Sequence, residues 1–271
     1  MAGKPVILSI AGYDPSSGAG ISADVKTAAA CDCYAMTCIT ALTVQSTRGV
    51  FGVEPVRPDV VRDTLNRVAE DVDLSAVKIG MLGSGAVAEV VAEFLEKRKL
   101  PNVVLDPVLR SSSGAELIDQ QGVDVIRKRL LRLATVTTPN LAEAAALAEV
   151  SESPETMEAS VLRLLAVRLH EMGCAAVVIT GGDQRETNDY LSIWHDGQTQ
   201  EVVLKGSRIE SRATHGTGCA FSTALACGLA KGLDLVEATR EAKEYVRKAI
   251  AAAYPIGQGL GPMNHLFRLD E

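Results

Sequence analysis

The sequence predicts an α/β protein with a mostly parallel sheet, helices on both faces of that sheet and a small antiparallel extension. Short β-branched apolar runs alternate with longer stretches of helical character along the 271 residues. Strands that alternate with helices form βαβ units, in which the strands run parallel. Hydrophobic residues make up 47% of the chain, which is enough for a sizeable core. No linker, low-complexity tract or internal repeat interrupts the pattern, so we expect one domain over residues 1–271.

The first half of the chain contains four predicted strands, one short extension and three helices. Pro58 suits the first turn of a helix, and the apolar residues Val61, Leu65 and Val68 then fall on one side of it. In chain order the predicted elements are strand Val6–Ala11, helix Ile21–Ala30, strand Thr37–Val44, extension Gly49–Val56, helix Pro58–Asp71, strand Val77–Ile79, helix Ala86–Arg98 and strand Val103–Leu105.

The second half continues the alternation and adds a hairpin. The dipeptide Asp196-Gly197 lies between two β-rich runs and favours a tight hairpin turn. In chain order the predicted elements are helix Val123–Leu133, strand Thr135–Thr138, helix Leu141–Ala148, helix Pro154–Met172, strand Ala175–Thr180, hairpin strands Asp189–Trp194 and Thr199–Leu204, helix Gly218–Lys231 and helix Leu235–Ala253.

Composition excludes several classes of protein. The net charge is −7 and no basic run occurs, which argues against nucleic acid or an anionic membrane as the main partner. No apolar stretch approaches the length of a transmembrane helix, and the run Val6–Ile10 is too short for a signal peptide. The six cysteines are too sparse for a disulfide scaffold, and Cys31 and Cys33 lack the partners of a zinc site. We expect reduced thiols in a cytoplasmic protein.

Ligands of a parallel sheet bind outside the carboxyl ends of its strands, and a glycine-rich segment follows the first predicted strand. Residues 11–20 read Ala-Gly-Tyr-Asp-Pro-Ser-Ser-Gly-Ala-Gly. The stretch from Gly18 to Ala23 fits a dinucleotide-binding fingerprint, but it starts seven residues after the strand, and no acidic residue follows at the expected distance. The segment is therefore either a plain turn or a backbone loop around some other bound group.

A second glycine-rich segment, residues 214–219, opens the predicted helix Gly218–Lys231. Backbone N–H groups at a helix start lie at the positive end of the helix dipole and bind anions. Cys219 falls in the first turn, where the dipole is expected to lower the pKa of its thiol. The alternative is that Cys219 is simply a small residue at a helix start.

Three polar clusters follow other strands at the same predicted edge. Asp106 ends a buried strand and can hold Mg²⁺ through water. Asn140 and Glu143 begin a helix, where Glu143 serves either a metal or a capping box with Asn140. Thr180 precedes two glycines in a turn that suits the nucleotide side of a site. Anion-binding N–H groups beside carboxylates favour phosphoryl transfer over hydride transfer.

These segments together resemble the hydroxymethylpyrimidine/phosphomethylpyrimidine kinases of thiamine biosynthesis, which belong to the ribokinase superfamily. The resemblance covers essentially the whole chain in order, and the combination is specific although each piece alone is weak. It rests on residues 11–27, on 40–45 (Thr-Ala-Leu-Thr-Val-Gln), on 77–83 (Val-Lys-Ile-Gly-Met-Leu-Gly), on 106–108 (Asp-Pro-Val), on 138–143 (Thr-Pro-Asn-Leu-Ala-Glu), on 215–219 (His-Gly-Thr-Gly-Cys) and on 259–265 (Gly-Leu-Gly-Pro-Met-Asn-His).

The resemblance implies a three-layer α/β/α ribokinase-like domain, commonly a homodimer, that uses ATP and Mg²⁺. The implied reaction phosphorylates 4-amino-5-hydroxymethyl-2-methylpyrimidine and then its monophosphate. By position, Gln45 would pair with the pyrimidine edge, and Cys219 would act on the substrate hydroxyl. The remaining implied residues are Gly12, Asp24, Met81 and Val108 around the pyrimidine, Gly216, Thr217 and Gly218 as an anion hole, Thr180 and Lys243 beside the nucleotide, and Asp106 and Glu143 beside magnesium.

The chain departs from the family pattern at several positions. Tyr13 and Ser17 stand where the family usually has serine and glycine, and Thr180 and residues 111–113 stand where lysines are common. Fewer phosphate-binding cations disfavour the second phosphorylation, whose substrate is already anionic, more than the first, unless Lys205, Arg110 or Lys243 compensates.

Two other functions are compatible with parts of this pattern. A pyridoxal kinase is the alternative among enzymes, although Gln45 and Met81 fit an aminopyrimidine better than a pyridine that carries a phenol. A non-catalytic pyrimidine sensor is the alternative from another class, but a sensor has no need of an anion hole.

Overall fold

The computed structural model describes residues 3–150, 158–182 and 187–269. Within them, nine strands form one sheet in the order β3-β2-β1-β4-β5-β6-β7-β8-β9. Six of these strands, β1, β2 and β4 to β7, run parallel, while β3, at one end of the sheet, and the β8–β9 hairpin, at the other, pair antiparallel. The strands are β1 (Val6–Tyr13), β2 (Tyr34–Ser46), β3 (Gly49–Pro55), β4 (Ala76–Ile79), β5 (Val103–Leu105), β6 (Val136–Thr137), β7 (Ala176–Ile179), β8 (Asp189–His195) and β9 (Gln198–Leu204).

Helices cover both faces of the sheet. Helices α1, α8 and α9 pack on one face, and α2 to α7 pack on the other. The predicted three-layer α/β/α fold is therefore confirmed. The helices are α1 (Gly20–Ala30), α2 (Pro58–Asp71), α3 (Gly85–Arg98), α4 (Gln120–Val125), a π-helical turn (Ile126–Leu130), α5 (Leu131–Leu133), α6 (Leu141–Leu147), α7 (Ala159–Glu171), α8 (Thr217–Ala230), α9 (Leu235–Ala251) and a final 3₁₀ turn (Phe267–Leu269).

The core consists of two apolar layers separated by the sheet. Successive residues of β1 alternate between them, since Ile7 packs with α8 and α9 while Leu8 and Ile10 pack with α2 and α3. A parallel sheet that is covered on both faces buries both sets of side chains, which explains why its strands are continuous apolar runs rather than alternating ones.

The predicted element bounds are close to those observed, with three informative differences. Strands β1 and β2 extend further than predicted, and each continues through a register shift, between Ala11 and Tyr13 in β1 and between Val44 and Gln45 in β2. The predicted helix Val123–Leu133 begins at Gln120 and contains a π-helical turn. The first residues of the predicted helix Pro154–Met172 lie outside the described residues, and the rest forms α7.

The predicted hairpin turn is confirmed. Asp196 and Gly197 both adopt positive φ, 49° and 81°, which a two-residue turn of the mirror-image type requires. Among the described helices, none has the length and apolar character needed to cross a membrane.

Candidate active site

The carboxyl ends of the parallel strands open into a cavity of about 1640 Å³. This is where an open α/β sheet binds its ligands. Twelve of the thirteen residues assigned to the site from sequence line it: Gly12, Gln45, Met81, Asp106, Val108, Glu143, Thr180, Gly216, Thr217, Gly218, Cys219 and Lys243. Asp24, the thirteenth, does not line it.

One end of the cavity is apolar. Met81 packs with Ala41 and Leu117, and Val108 lies against the same small cluster. A side chain on Gly12 would come within 2.8 Å of the Met81 sulfur, so only glycine leaves Met81 in its place. A flat, uncharged ring fits this end of the cavity better than a charged group does.

Gln45 supplies the polar edge of that end. Its Nε2 lies 3.1 Å from Nε2 of His215, and its Oε1 lies 3.1 Å from the Thr43 hydroxyl. His215 Nε2 also lies 2.8 Å from Asp14 Oδ2, and the Thr43 hydroxyl donates to the Tyr13 carbonyl. If Nε2 of His215 carries the proton that it donates to Asp14, the Gln45 atom beside it has to be an acceptor. Turning the Gln45 amide over places its oxygen beside His215 and its nitrogen beside the Thr43 hydroxyl, which satisfies both neighbours. Gln45 then keeps one N–H and one lone pair for a ligand.

Asp14 organises the first glycine-rich segment, a role that the sequence analysis missed. Its carboxylate accepts hydrogen bonds from the backbone N–H groups of Ser16, Gly18 and Ala19 and from the ring of His215. Burial opposes ionisation, but the hydrogen bonds from His215 and Ser16 outweigh it and hold the pKa of Asp14 below its ordinary value. An aspartate just before Pro-Ser-Ser is a typical turn signal and could have revealed this role.

The start of α8 faces the cavity as predicted. Gly216 adopts a φ of 80°, and a side chain there would lie 1.9 Å from the carbonyl oxygen of Gly18, so this position requires glycine. No side chain among the described residues caps the first turn of the helix. A side chain on Gly218 would meet no atom within 4 Å, which leaves open space beside the N–H groups. A helix start with these features is suited to binding an anion.

Cys219 lies in this first turn, but its predicted low pKa is wrong. Burial raises the pKa of the thiol to about 12, against the opposing effect of Lys78, and the carboxylates of Asp106 and Asp24 raise it further. The helix dipole is a smaller effect than the loss of solvent beside two carboxylates. The thiol is therefore neutral near pH 7.

Asp24 lies beneath the cavity, in a buried polar network that the sequence analysis also missed. Its carboxylate pairs with Lys78 Nζ at 3.0 and 3.1 Å and accepts from the hydroxyls of Ser9 (2.5 Å) and Thr223 (2.8 Å). Asp24 and Lys78 are both fully buried. The prediction that Asp24 lines the pyrimidine pocket is wrong, because α1 points this side chain into the interior between the sheet and α8.

Lys78 supplies a buried positive charge near the start of α8. Burial alone would lower its pKa, but the carboxylate of Asp24, and to a smaller extent that of Asp106, raises the pKa above its ordinary range. Lys78 is in turn the main influence that lowers the pKa of Asp106, which burial raises overall. The Asp106 carboxylate accepts a hydrogen bond of 3.1 Å from Ser222.

The opposite end of the cavity carries the residues assigned to the nucleotide. Lys243 lines it, but its Nζ donates to Asp189 Oδ2 at 2.7 Å, so an acid already balances its charge. Arg110 pairs with Glu116 in the same way. Lys205 lines the cavity and forms no ion pair within the described part of the chain, which leaves it as the available cation of the three.

Asn140 and Glu143 form the capping box that was one of the two alternatives. Asn140 Oδ1 accepts from the Glu143 N–H, and the Glu143 carboxylate accepts from the Asn140 N–H, each at 2.9 Å. This box begins α6 at the cavity wall. One oxygen of Glu143 thus has a structural role even though the residue lines the cavity.

The donors at this edge suit a hard cation. The hydroxyl of Thr138 is buried without a hydrogen-bond partner, and Thr138 and Asp106 line the same cavity. No cluster of three or more His, Cys, Asp or Glu side chains in metal-binding geometry occurs in the described ranges. Magnesium commonly binds one or two carboxylates and completes its shell with water and phosphate oxygens, so these residues fit it.

The chain is similar to known kinases over almost its whole length. The sequence profile of the phosphomethylpyrimidine kinase family matches residues 14–264. A hydroxymethylpyrimidine/phosphomethylpyrimidine kinase of Streptomyces coelicolor is 42% identical over 267 residues, which cover 98% of this chain and 96% of that protein.

Two solved structures share the fold. A pyridoxal kinase of Bacillus subtilis, in an ADP complex, superposes with a TM-score of 0.87 and 34% identity over 98% of this chain and 99% of its own. A phosphomethylpyrimidine kinase of Clostridium difficile superposes with a TM-score of 0.78 and 33% identity over 91% of this chain and 100% of its own. The chain therefore belongs to the phosphomethylpyrimidine kinase family.

Proposed function

We propose that the protein transfers phosphate from ATP to the hydroxymethyl group of 4-amino-5-hydroxymethyl-2-methylpyrimidine, and then to the resulting monophosphate, in thiamine biosynthesis. One observation carries the proposal: a neutral amide with one free donor and one free acceptor lines the same cavity as an uncapped helix start. The first suits the edge of an aminopyrimidine, and the second suits a phosphoryl group.

Recognition of the ring follows from Gln45 and the apolar cluster around Met81. The ring nitrogen of the substrate accepts from the amide N–H of Gln45, and the exocyclic amino group donates to the amide oxygen. The Gln45 amide is held by Thr43 and His215, so little side-chain freedom is lost on binding. Val108 and Met81 enclose the ring on its apolar faces.

Transfer relies on the start of α8. The backbone N–H groups of residues 216–219 stabilise the charge that develops on the transferred phosphoryl oxygens. Cys219, whose thiol is neutral, orients the substrate hydroxyl by a hydrogen bond. The hydroxyl proton passes to an oxygen of the transferred phosphoryl group as the new O–P bond forms and the bond to ADP breaks. Phosphoryl transfer passes through a loose transition state, so orientation contributes more than a strong base does.

The nucleotide binds at the end of the cavity lined by Thr180, Lys205 and Lys243. Magnesium, which supplies charge neutralisation between the ATP phosphates, would be held by Asp106 with Glu143 nearby. The Thr138 hydroxyl gains a partner in that arrangement. Lys205 is the residue that replaces the cations common in the family at Thr180 and residues 111–113.

We expect this single domain to act as a homodimer in the cytoplasm. The side chains of Leu42, Val44 and Phe51 are about half exposed or more on β2 and β3, which is an apolar surface of the kind that pairs subunits. All six cysteines are free thiols, as a reducing compartment requires.

ADP release tests the proposal when hydroxymethylpyrimidine, its monophosphate and pyridoxal are compared side by side. We expect turnover of both pyrimidines, with higher kcat/KM for hydroxymethylpyrimidine than for pyridoxal. Gln45→Leu should raise KM for the pyrimidine roughly tenfold or more through two lost hydrogen bonds. Gln200→Leu, on the exposed face of β9, is the matched control and should change nothing.

Two outcomes would favour other functions. Turnover of pyridoxal alone would favour a pyridoxal kinase, the candidate supported by the similarity to the Bacillus subtilis structure. No ADP release with any of the three would favour a pyrimidine sensor. If Cys219→Ala kept kcat near that of the wild type, the role of the thiol in orienting the hydroxyl would be wrong.

A further inference from the structure

A second, smaller cleft of about 230 Å³ adjoins the main cavity at the turn between β2 and β3. We call it the arginine cleft, since Arg48 and Arg212 line it. Its remaining wall is made of the turn itself, the serines of residues 111–113 and the segment 259–260. It shares six wall residues with the main cavity: Gln45, Val50, Ser111, Ser112, His215 and Leu260.

The walls of the arginine cleft are held together by specific contacts. The Thr47 hydroxyl accepts from the backbone N–H groups of Gln258 and Gly259 at 3.2 and 3.3 Å. A side chain on Gly259 would lie 1.7 Å from the Thr47 carbonyl oxygen, so the C-terminal segment packs directly against the turn. Ser111 and Ser113 are joined by a hydrogen bond of 2.9 Å on the opposite wall.

The charge of the arginine cleft is positive and unbalanced. No Asp or Glu is among its wall residues. Most described arginines lie within 4.0 Å of a carboxylate, but Arg48 and Arg212 form no such pair within the described ranges. The Arg48 guanidinium donates to the neutral amide oxygen of Gln258 and, within the described part of the chain, to no acidic group. In a chain of net charge −7, two uncompensated guanidinium groups in one cleft point to an anionic ligand.

We propose that the arginine cleft binds the phosphate of a phosphate monoester at the mouth of the pyrimidine pocket. This inference rests on the proposed function, because the monophosphate intermediate is the phosphate monoester that enters and leaves this pocket. Guanidinium groups bind phosphate oxygens in pairs, and the serine hydroxyls on the facing wall can donate to the remaining oxygen.

The position of the arginine cleft determines what it does. None of residues 216–219 is among its wall residues, so a phosphate held there lies beside Gln45 and His215 and not at the anion-binding turn. The cleft therefore captures the monophosphate on its way into the pocket and does not take part in the reaction itself, since the phosphate must leave it to reach the start of α8. Faster capture raises kcat/KM for the phosphorylated substrate without changing kcat, and so lowers its KM.

Steady-state kinetics of the double variant Arg48→Gln/Arg212→Gln test the proposal. We expect KM for the monophosphate to rise about tenfold, which corresponds to about 1.4 kcal/mol for the two charges. We expect kcat, and KM for the neutral hydroxymethylpyrimidine, to stay within about twofold of the wild type. Arg132→Gln is the matched control, because Arg132 is exposed on α5 and lines neither cavity. An unchanged KM for the monophosphate, or an equal rise for both pyrimidines, would overturn the proposal.

A binding experiment without ATP separates this proposal from the proposed function. The phosphorus NMR line of the pyrimidine monophosphate is followed on titration with wild-type protein and with the double variant. Inorganic phosphate is titrated in parallel, with the pyrimidine pocket saturated by hydroxymethylpyrimidine. We expect broadening of the monophosphate line that depends on the two arginines and exceeds that of inorganic phosphate. Broadening independent of the arginines, or equal for both anions, would refute a monoester site even if the kinase activity holds. If the arginines bind the monophosphate but no turnover occurs, the proposed kinase function is wrong and the proposal for the arginine cleft stands.

Discussion

Replacing Lys78 by methionine tests the buried network of Asp24, which lies between α1, the sheet and α8. The change keeps most of the side-chain volume and removes the charge, so Asp24 is left buried with the hydroxyls of Ser9 and Thr223 as its remaining partners. Because α1 and α8 both contribute to this network, we expect the loss to destabilise the whole fold rather than one loop.

The expected magnitude follows from the geometry of the pair. The two charges lie 3.0 Å apart with both side chains 0% exposed. At an effective dielectric constant of about 20, such charges attract by about 5 kcal/mol, and removing one partner of a buried pair typically costs about 3–5 kcal/mol. The two remaining hydroxyl donors soften the loss, so we expect about 3 kcal/mol. That corresponds to a fall in Tm of roughly 6–12 °C.

Urea unfolding followed by circular dichroism measures the free energy of unfolding of the Lys78→Met variant. The matched control is Arg67→Met, which breaks an ion pair of 3.1 Å whose side chains are 85% and 50% exposed. The control should lose no more than about 0.5 kcal/mol. A loss below about 1 kcal/mol for Lys78→Met, with an unchanged m-value, would refute the argument that burial makes this pair structural.

Three further predictions concern the site and its surroundings. Gly216→Ala should lower kcat at least about a hundredfold, because its side chain collides with the backbone of the facing loop. Gly218→Ala, whose side chain meets open space, should leave the free energy of unfolding unchanged. Burial lowers the pKa of His265 to about 4, so the unfolded chain takes up a proton below pH 6.5 while the folded protein does not. The contribution of His265 to the free energy of unfolding should therefore fall by about 3 kcal/mol between pH 6.5 and 4. In urea unfolding, the free energy of unfolding of His265→Asn should depend less on pH than that of the wild type, while the exposed His195→Asn should behave like the wild type. Iodoacetamide should alkylate Cys219 at pH 8 at least about a hundredfold more slowly than free cysteine, as mass spectrometry of the labelled peptide would report.

Features that depend on neighbours in the chain were predictable from the sequence. The alternation of strands and helices gave the three-layer fold, and Asp196-Gly197 located the hairpin turn. Gly216 could be assigned to an anion-binding helix start because a glycine, a turn and the following helix are contiguous. Most residues assigned to the site line one cavity because the carboxyl ends of parallel strands meet at one edge.

Features that depend on packing between distant segments were not predictable. The network of Asp24 joins residues up to 199 positions apart, and no local pattern shows that α1 turns this side chain inward. The same holds for Lys243, whose acid partner Asp189 is 54 positions away. For Cys219, the helix start was identified correctly, but the pKa was predicted in the wrong direction because burial beside two carboxylates outweighs the dipole.

The central claim is that this cavity joins a pyrimidine edge at Gln45 to a phosphoryl group at the start of α8. Phosphorus NMR of the products formed from hydroxymethylpyrimidine and ATP tests it most directly, because it identifies the bond that is made. We expect a phosphate monoester signal that appears first and a diphosphate signal that follows more slowly, both lost in Gly216→Ala. ATP hydrolysed to ADP and inorganic phosphate, with no phosphorylated pyrimidine, would contradict it.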